Sequence, residues 1–559
     1  MLILMAGLGI FAASFGGTLQ RSFSERALYS TGTDVRLVGA LLNTRGSTVP
    51  MRESYESLPA VEEVSLAFRG FGSDLSKLLA DSYTMFAVEG EKIKEMGWFR
   101  DDFSEASMDS LLSSLRSETL PVGVELPSDA NAVGVTVKPD RPHPSVALAL
   151  RMRDSNGRYF TYVMGQLDEP GWVTMEQPLS RTNGRRFAAL QPTSPLTIVS
   201  LTVFETNGRN RLRAGSIAID EIFATRPGGG IHVLESFDSV SEWTALDAVP
   251  ESQSDVLKPS ADGLNGTGGS AAFIWVEGRP LVSRGIFHGP PLDPLPVLAT
   301  SRFLRVNEHR IGETIEVSAQ GHRVDVALSG VIDFFPTLDA FKRSYLVADL
   351  ASVSAYANLE ATGGELRPNE VWMTTNGSAS DRAQLISLLE GSQPFPSREV
   401  HDRVQILAES TVDPLVEAGW RALLFVAFAA VLVLSGLGFL VHAYVSFKSR
   451  EIQFALMRTV GFSMRQLSTL VLLEQVLVIG AGLALGTWMG GRLGATMMPF
   501  LGHDDRGTRV LPPFVVDINW GTLVITYVAM GLLFAVIIAG VIILVRRISL
   551  QRILRLGEV

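Results

Sequence analysis

Four apolar stretches constrain this chain more than anything else in it. Met1–Leu19, Trp420–Phe447, Leu467–Gly490 and Trp520–Val545 are each long enough, and poor enough in charge, to cross ~30 Å of hydrocarbon as a helix. Backbone amides and carbonyls have no water to bond inside a bilayer, so helix is the conformation each run demands. Trp420–Phe447 carries only Arg421 near its start and His442 near its end, Leu467–Gly490 holds one acid, Glu474, and Trp520–Val545 is apolar throughout. No Lys or Arg precedes the first run, which argues against a cleaved signal peptide. The chain reads as starting inside a helix.

The Lys and Arg residues flanking these runs orient them. The loop Ser446–Leu467 (Lys448, Arg450, Arg458 and Arg465 against Glu451) and the tail from Arg546 (Arg546, Arg547, Arg552 and Arg555 against Glu558) each carry +3 of a net −10, which leaves −16 for the rest. Both basic segments are expected in the cytoplasm. The connection Met498–Asn519, with Asp504, Asp505 and Asp517, then faces outward, and so does Gln20–Gly419. An acidic bulk with two small basic patches argues against nucleic acid, which needs a clustered basic face. The chain has no cysteine, so disulfides, thiolate zinc sites and cysteine nucleophiles are excluded.

Between the first and second helices the composition shifts twice. Residues 20–120 are mixed, with helical patches at Asp74–Leu79 and Asp109–Leu115. Residues 121–285 alternate apolar and polar with Gly, Asn and Pro punctuation, most clearly in Ser145–Arg153, Arg158–Met164, Leu196–Glu205 and Gly215–Phe223. This pattern predicts an antiparallel sandwich. Gly171–Ser180 and Gly215–Ile222 resemble the closing half of carbohydrate-binding-like jelly rolls, and Glu235–Trp243 with Gly269–Trp275 the opening half. Residues 286–418 return to mixed character, with a short helix near Ala299–Leu304, a turn at Arg310–Glu313 and strands Thr314–Ala319, Arg323–Leu328 and Gly330–Phe335.

Two segments carry a family resemblance. Ser301–Leu304 (SRFL), Ile311–Val317 (IGETIEV), Gly330–Leu338 (GVIDFFPTL) and Leu346–Leu350 (LVADL) resemble the end of the ectodomain of FtsX/MacB-type ABC transporter permeases. Ser446–Gln475 resembles that family's cytoplasmic loop, of the form R-E-x-x-x-L-R-x-x-G-x-x-x-x-Q-L. Arg458, Gly461, Gln466 and Leu467 match in register, while Gln453 and Met457 depart from it. The fold expected is a membrane protein: an α-helical bundle of four transmembrane helices (1–19, 419–447, 467–490 and 520–545) with a large mixed α+β and β-sandwich extracytoplasmic domain. A coupling loop at 448–466 and a tail at 546–559 lie in the cytoplasm. The missing N-terminal cytoplasmic segment suggests a truncated gene product or the second half of a longer permease.

The resemblance implies a permease subunit in the cell membrane, coupling ATP hydrolysis by a separate ABC ATPase to movement of the extracytoplasmic domain. Export, lipid or lipoprotein handling and mechanotransmission are the kinds of work implied. Its partners are that ATPase, membrane lipid, and a second permease copy or homologue, because four helices do not enclose a wide pore. The coupling residues expected are Arg450, Glu451, Leu456, Arg458, Gly461 and Arg465. The residues support this independently: Arg450–Thr459 reads as a short surface helix with Ile452, Ala455 and Leu456 on one face. Gly461 is then its stop and Ser463 the next cap.

Glu474 is a candidate intramembrane polar site. Trp172, Trp243 and Trp275 are candidate glycan contacts against the alternative that they are sandwich core, and Asp220 with Glu221 is weighed as a calcium pair against a solvated strand end. A membrane-anchored carbohydrate-binding or adhesion protein is therefore the competing reading. No P-loop, H-E-x-x-H or G-x-S-x-G motif occurs, and the eight histidines show no ligand spacing. The chain is expected to be no enzyme and to bind no metal or cofactor itself, ATP entering through the partner.

Overall fold

The computed structural model describes residues 2–40, 49–77, 81–180, 191–207, 212–246, 255–264, 269–277, 284–360, 364–391, 395–410, 414–497, 502, 509–515, 517 and 520–546. The predicted tail beyond 546 and Asp504, Asp505 and Arg506 lie outside them. The chain forms two compact units, one of residues 30–403 and one of residues 1–29 with 404–559.

A 30-residue helix, α1 (Leu2–Thr31), opens the chain. The β-rich unit follows with β1 (Val35–Val38), α2 (Met51–Glu56), β2 (Val61–Asp74), β3 (Ser82–Val88), α3 (Gly90–Met96) and α4 (Met108–Ser113). Then come β4 (Val124–Glu125), β5 (Ala132–Pro139), β6 (His143–Asp154), β7 (Tyr159–Leu167), β8 (Val173–Pro178), β9 (Leu196–Glu205) and β10 (Gly215–Thr225). The sandwich closes with β11 (Ile231–Glu235), β12 (Trp243–Ala245), β13 (Val256–Ser260), β14 (Ser270–Trp275) and β15 (Arg284–His288). The chain returns through β16 (Leu295–Ala299), α5 (Ser301–Val306), β17 (Thr314–Ala319), β18 (His322–Val331), β19 (Tyr345–Asp349), α6 (Leu350–Ala357), β20 (Glu370–Thr375), α7 (Ala379–Glu390), β21 (Glu399–Asp402) and α8 (Arg403–Ser410).

The first and last parts of this unit build one nine-stranded mixed sheet, in the order β17-β18-β16-β19-β3-β2-β20-β1-β21. β16 with β18 and β19 with β3 run parallel. The 14-residue β2 also pairs back to β17, Val317 opposite Asp74, so six of the nine strands close into a ring. Phe68, Tyr83, Met85, Val297, Val317 and Leu346 belong to one apolar cluster on these strands, all at most 1% exposed. Helix starts are set by side-chain caps: Ser107 for α4, Thr300 for α5, Asp349 for α6, and a reciprocal Ser378–Asp381 box for α7. Of the predicted helical patch Asp74–Leu79, the described residues 74–77 are not helical. Asp74 ends β2, and its Oδ1 accepts bonds from Ser76 N and Oγ, which turns the chain.

Residues from β4 to β15 form two six-stranded antiparallel sheets, β13-β14-β10-β5-β8 with β11, and β12-β15-β9-β6-β7 with β4. One core fills the space between them, with Val135, Ile219, Phe237 and Phe273 from the first sheet's side and Leu148, Leu150, Met152 and Ile286 from the second, all at most 1% exposed. The alternation of Ser145–Arg153 predicts one wet face on β6, yet both faces are buried. Arg151, on the far side of the sheet, donates to the carbonyl and side-chain oxygens of Asn358 and to the Gly364 carbonyl, and Ser200 bonds the Leu359 carbonyl. The segment after α6 thus covers this sheet.

In the nine-stranded sheet, Glu370 is 1% exposed and receives Arg69 Nε at 2.5 Å, Arg36 Nη1 at 3.5 Å and the Trp372 indole at 3.4 Å. Burial pushes its carboxyl upward, but Arg69 and Arg36 outweigh that and hold it below the usual range. Burial draws the Arg36 guanidinium down to about 10.

The other unit comprises α1 as far as Tyr29, α8 from Val404, α9 (Pro414–Ser449), α10 (Glu451–Thr459), α11 (Met464–Met497) and α12 (Trp520–Arg546). Four of these, α1, α9, α11 and α12, are long and apolar enough to cross a membrane. α1 runs past the apolar stretch that ends at Leu19, its polar turn held by Arg21 and Glu25 at 2.6 Å, four residues apart. Phe439 of α9 meets Phe534 of α12 edge-on at 5.1 Å, and the Thr487 hydroxyl of α11 bonds Tyr527 of α12 at 2.6 Å. Phe425, Ile525 and Val536 are about 70% exposed, as lipid-facing side chains are.

Candidate functional site

The connection from α9 to α11 is a fixed helix rather than a loose loop. Arg450 occupies the cap position between α9 and α10. At the other end Gly461 takes φ +104°, a conformation that side chains with a Cβ resist. That turn lets Gly461 N bond Arg458 O at 3.2 Å and Phe462 N bond Met457 O at 3.1 Å, closing α10 with a Schellman motif. Two residues on, Ser463 Oγ accepts from Gln466 N while Gln466 Oε1 accepts from Ser463 N at 2.8 Å, a capping box that starts α11.

Ile452 and Leu456 share one face of α10 as expected, and that face is the outward one. Phe454 is 6% exposed, packed with Ala443, Leu467, Val471 and Val541 and stacked on Phe447, and Met457 borders the same cluster. Ile452, Leu456 and Val460 lie on the opposite side, 70%, 63% and 76% exposed, with Phe462 at 49% just beyond. An aromatic ring fills the gap between α9, α11 and α12 better than the shorter aliphatic chains, so Phe454 takes the inward position. The side chain of Ala455 lies outside the described residues.

Arg450 is exposed but not unpartnered. Its Nη1 sits 3.1 and 3.0 Å from the two oxygens of Glu474, which lies in α11, 24 residues on and across the whole of α10. The candidate intramembrane acid and a candidate coupling cation are one ion pair. Glu474 is ten residues into α11, ~15 Å along its axis, within reach of a long guanidinium stem. Glu451 pairs with Lys448 at 2.6 Å, Arg458 is half-buried, and Arg465 is exposed on the first turn of α11.

A second feature was missed in the sequence although its signal is plain there. Gly482, Gly486, Gly490 and Gly494 recur every fourth residue of α11 and are all buried. A Cβ added at Gly486 would lie 2.5 Å from Ala6 Cβ and 2.7 Å from the Ile3 carbonyl; at Gly490 it would lie 2.5 Å from the Gly7 carbonyl. The backbones of α1 and α11 meet there, as small-residue stripes allow in membranes.

The ends of the β-rich unit form a third. β1 and β21 are paired neighbours, Val35 opposite Asp402. Asp34 ties them: it accepts from Thr375 N at 3.0 Å, pairs with Arg403 at 2.8 Å, and its carbonyl accepts from Arg382 and Arg403. Arg382 also pairs with Asp402.

The tryptophan platform is not assembled. Trp243 and Trp275 are 4% and 1% exposed in the sandwich core, their indole N–H groups bonded to Glu235 Oε2 and the Arg213 carbonyl. Neither offers a face for a sugar to stack on. Trp172 is half-buried under Lys138. Asp220 Oδ1 accepts from Leu264 N at 2.8 Å and so caps a turn.

Four membrane-length helices, a short capped helix between two of them and a large β-rich unit define a polytopic membrane protein. Residues 425–551, from within α9 to just past the end of α12, match the family model of the FtsX-like permease C-terminal domain, a domain of ABC transporter permeases. Permeases of this family work with an ABC ATPase. No curated protein matches the chain.

Proposed function

We propose that α10 is the handle by which a separate ATPase subunit moves this permease. The observation that carries the reading is the outward apolar row Ile452, Leu456, Val460 and Phe462 on a helix fixed at both ends. A capped helix seated by Phe454 and tied to α11 through Arg450 and Glu474 transmits displacement instead of absorbing it. Exposed aliphatic and aromatic side chains are the kind that anchor protein interfaces. The Lys and Arg content around α10 supports a cytoplasmic position for it and an extracytoplasmic one for the β-rich unit. Motion entering α9 and α11 then reaches the β-rich unit through α1 and α8, whose chain continues into β1 and from β21, the two strands that Asp34 binds together.

The test is co-purification with the P-loop ATPase of the same cells. Ile452→Glu with Leu456→Glu is expected to abolish capture while leaving the permease folded and membrane-inserted. Undiminished capture by that variant contradicts the reading. Among the described residues no arrangement favours the glycan-binding alternative, since two of its three tryptophans are core.

A further inference from the structure

Three potential metal ligands far apart in sequence converge at one end of the sandwich. Glu235 ends β11, Glu242 immediately precedes β12, and His288 ends β15. One ligand atom from each lies within 4.8 Å of the other two. The pairing of β12 with β15 sets Trp243 opposite His288 and so brings residue 242 beside residue 288; no sequence spacing announces it. β11 belongs to one sheet of the sandwich, and β12 and β15 to the other.

Two of the three ligands are already held. Glu235 Oε1 accepts from Phe237 N and Oε2 from the Trp243 indole, both at 3.0 Å. The His288 ring packs edge-on against Trp243 at 5.3 Å, with Nε2 3.3 Å from Glu242 Oε2. The Glu242 side chain is 75% exposed and able to swing inward. Among the described residues no Lys or Arg forms an ion pair with either glutamate, and His288 Nδ1 is buried without a partner. A protonated imidazole balances one of the two carboxylates; a divalent ion balances both.

We propose that Glu235, Glu242 and His288 bind one zinc ion that staples the two sheets of the sandwich together. One imidazole with two carboxylates suits zinc, which takes nitrogen and oxygen ligands at ~2.0–2.2 Å and completes its shell with water. Calcium is disfavoured, because it gathers about 6–8 oxygens. Tetrahedral bonds of that length set ligand atoms about 3.3–3.5 Å apart, the separation that His288 Nε2 and Glu242 Oε2 already have, so the cluster contracts by about 1 Å by bringing this pair and Glu235 together.

The full-length protein in detergent, stripped with chelator, is titrated with zinc chloride and followed by calorimetry, bound-metal analysis and thermal melting. One zinc per chain, a higher melting temperature with zinc, and an absorption-edge spectrum with one imidazole ligand are expected. His288→Gln and Glu242→Gln should each weaken binding at least tenfold and remove the thermal shift. Glu242→Gln is the decisive variant, because its exposed carboxylate contributes little to folding. Absence of stoichiometric zinc in the wild type, wild-type affinity in Glu242→Gln or His288→Gln, or calcium bound in zinc's place overturns the proposal. Each outcome is independent of whether an ATPase docks on α10.

Discussion

Adding one methyl group at different glycines of α11 should change stability in opposite directions. At Gly486 a new Cβ falls 2.5 Å from Ala6 Cβ, and at Gly490 it falls 2.5 Å from the Gly7 carbonyl and 2.9 Å from Gly7 Cα. None of these neighbours is the end of a flexible side chain, so α1 and α11 must part by about 1 Å to restore ordinary contact distances of ~3.5 Å. Overpacking of this kind costs ~1–3 kcal/mol per site, against ~1 kcal/mol gained where alanine replaces a helical glycine. Gly486→Ala with Gly490→Ala is therefore expected to lose about 1–3 kcal/mol net. Gly480 and Gly491, on the same helix, have nothing within 4 Å of an added Cβ. Gly480→Ala with Gly491→Ala keeps only the helix gain, up to ~1 kcal/mol per site. Melting of the detergent-solubilised protein, read by size-exclusion chromatography after heating, separates the two pairs. Equal melting temperatures for both, or a more stable 486/490 variant, would refute close packing of α1 on α11.

Glu370→Ala leaves Arg36 and Arg69 facing each other in a buried site and should destabilise the β-rich unit by ~3–5 kcal/mol; a loss under ~1 kcal/mol in chemical denaturation contradicts the triad. Burial pushes the Glu360 carboxyl up to about 7, Arg323 and Arg284 offsetting part of the effect, and burial likewise raises Asp255 to about 6. Because these folded-state values lie above the unfolded ones, their contribution to stability is complete below about pH 4 and is lost as pH rises through 6 and 7. Glu360→Gln should flatten the fall in melting temperature between pH 5 and pH 8, and an unchanged slope refutes it. The chain has no cysteine, so single thiols report topology cleanly: Glu308→Cys should react with an impermeant maleimide on intact cells and Leu456→Cys only after lysis.

The membrane helices were legible because length and apolarity alone specify them, and Ser463 and Gly461 could be read as cap and stop because local chemistry decides both. The inward face of α10 was not legible. Phe454 wins that position through its fit against residues 443, 467, 471 and 541, which no local pattern contains. Arg450 and Glu474 read separately as a coupling cation and an intramembrane acid, since their pairing depends on how α10 turns back toward α11. The glycine stripe at 482, 486, 490 and 494 was readable, because a four-residue period needs no tertiary knowledge. Trp243 and Trp275 mislead for the opposite reason: an aromatic in a strand looks the same in sequence whether it faces solvent or core. The cluster of Glu235, Glu242 and His288 depends on strand register across 45 residues between Trp243 and His288, which a search for short ligand spacings misses.

What touches the outer face of α10 decides whether it is a handle for an ATPase. A photo-crosslinking amino acid placed at position 456 in intact cells tests this directly, with position 536, on the exposed side of α12, as the control. An adduct with a P-loop ATPase is expected at 456 and none at 536. Adducts at 456 with lipid or extracytoplasmic proteins, and none with an ATPase, would contradict it.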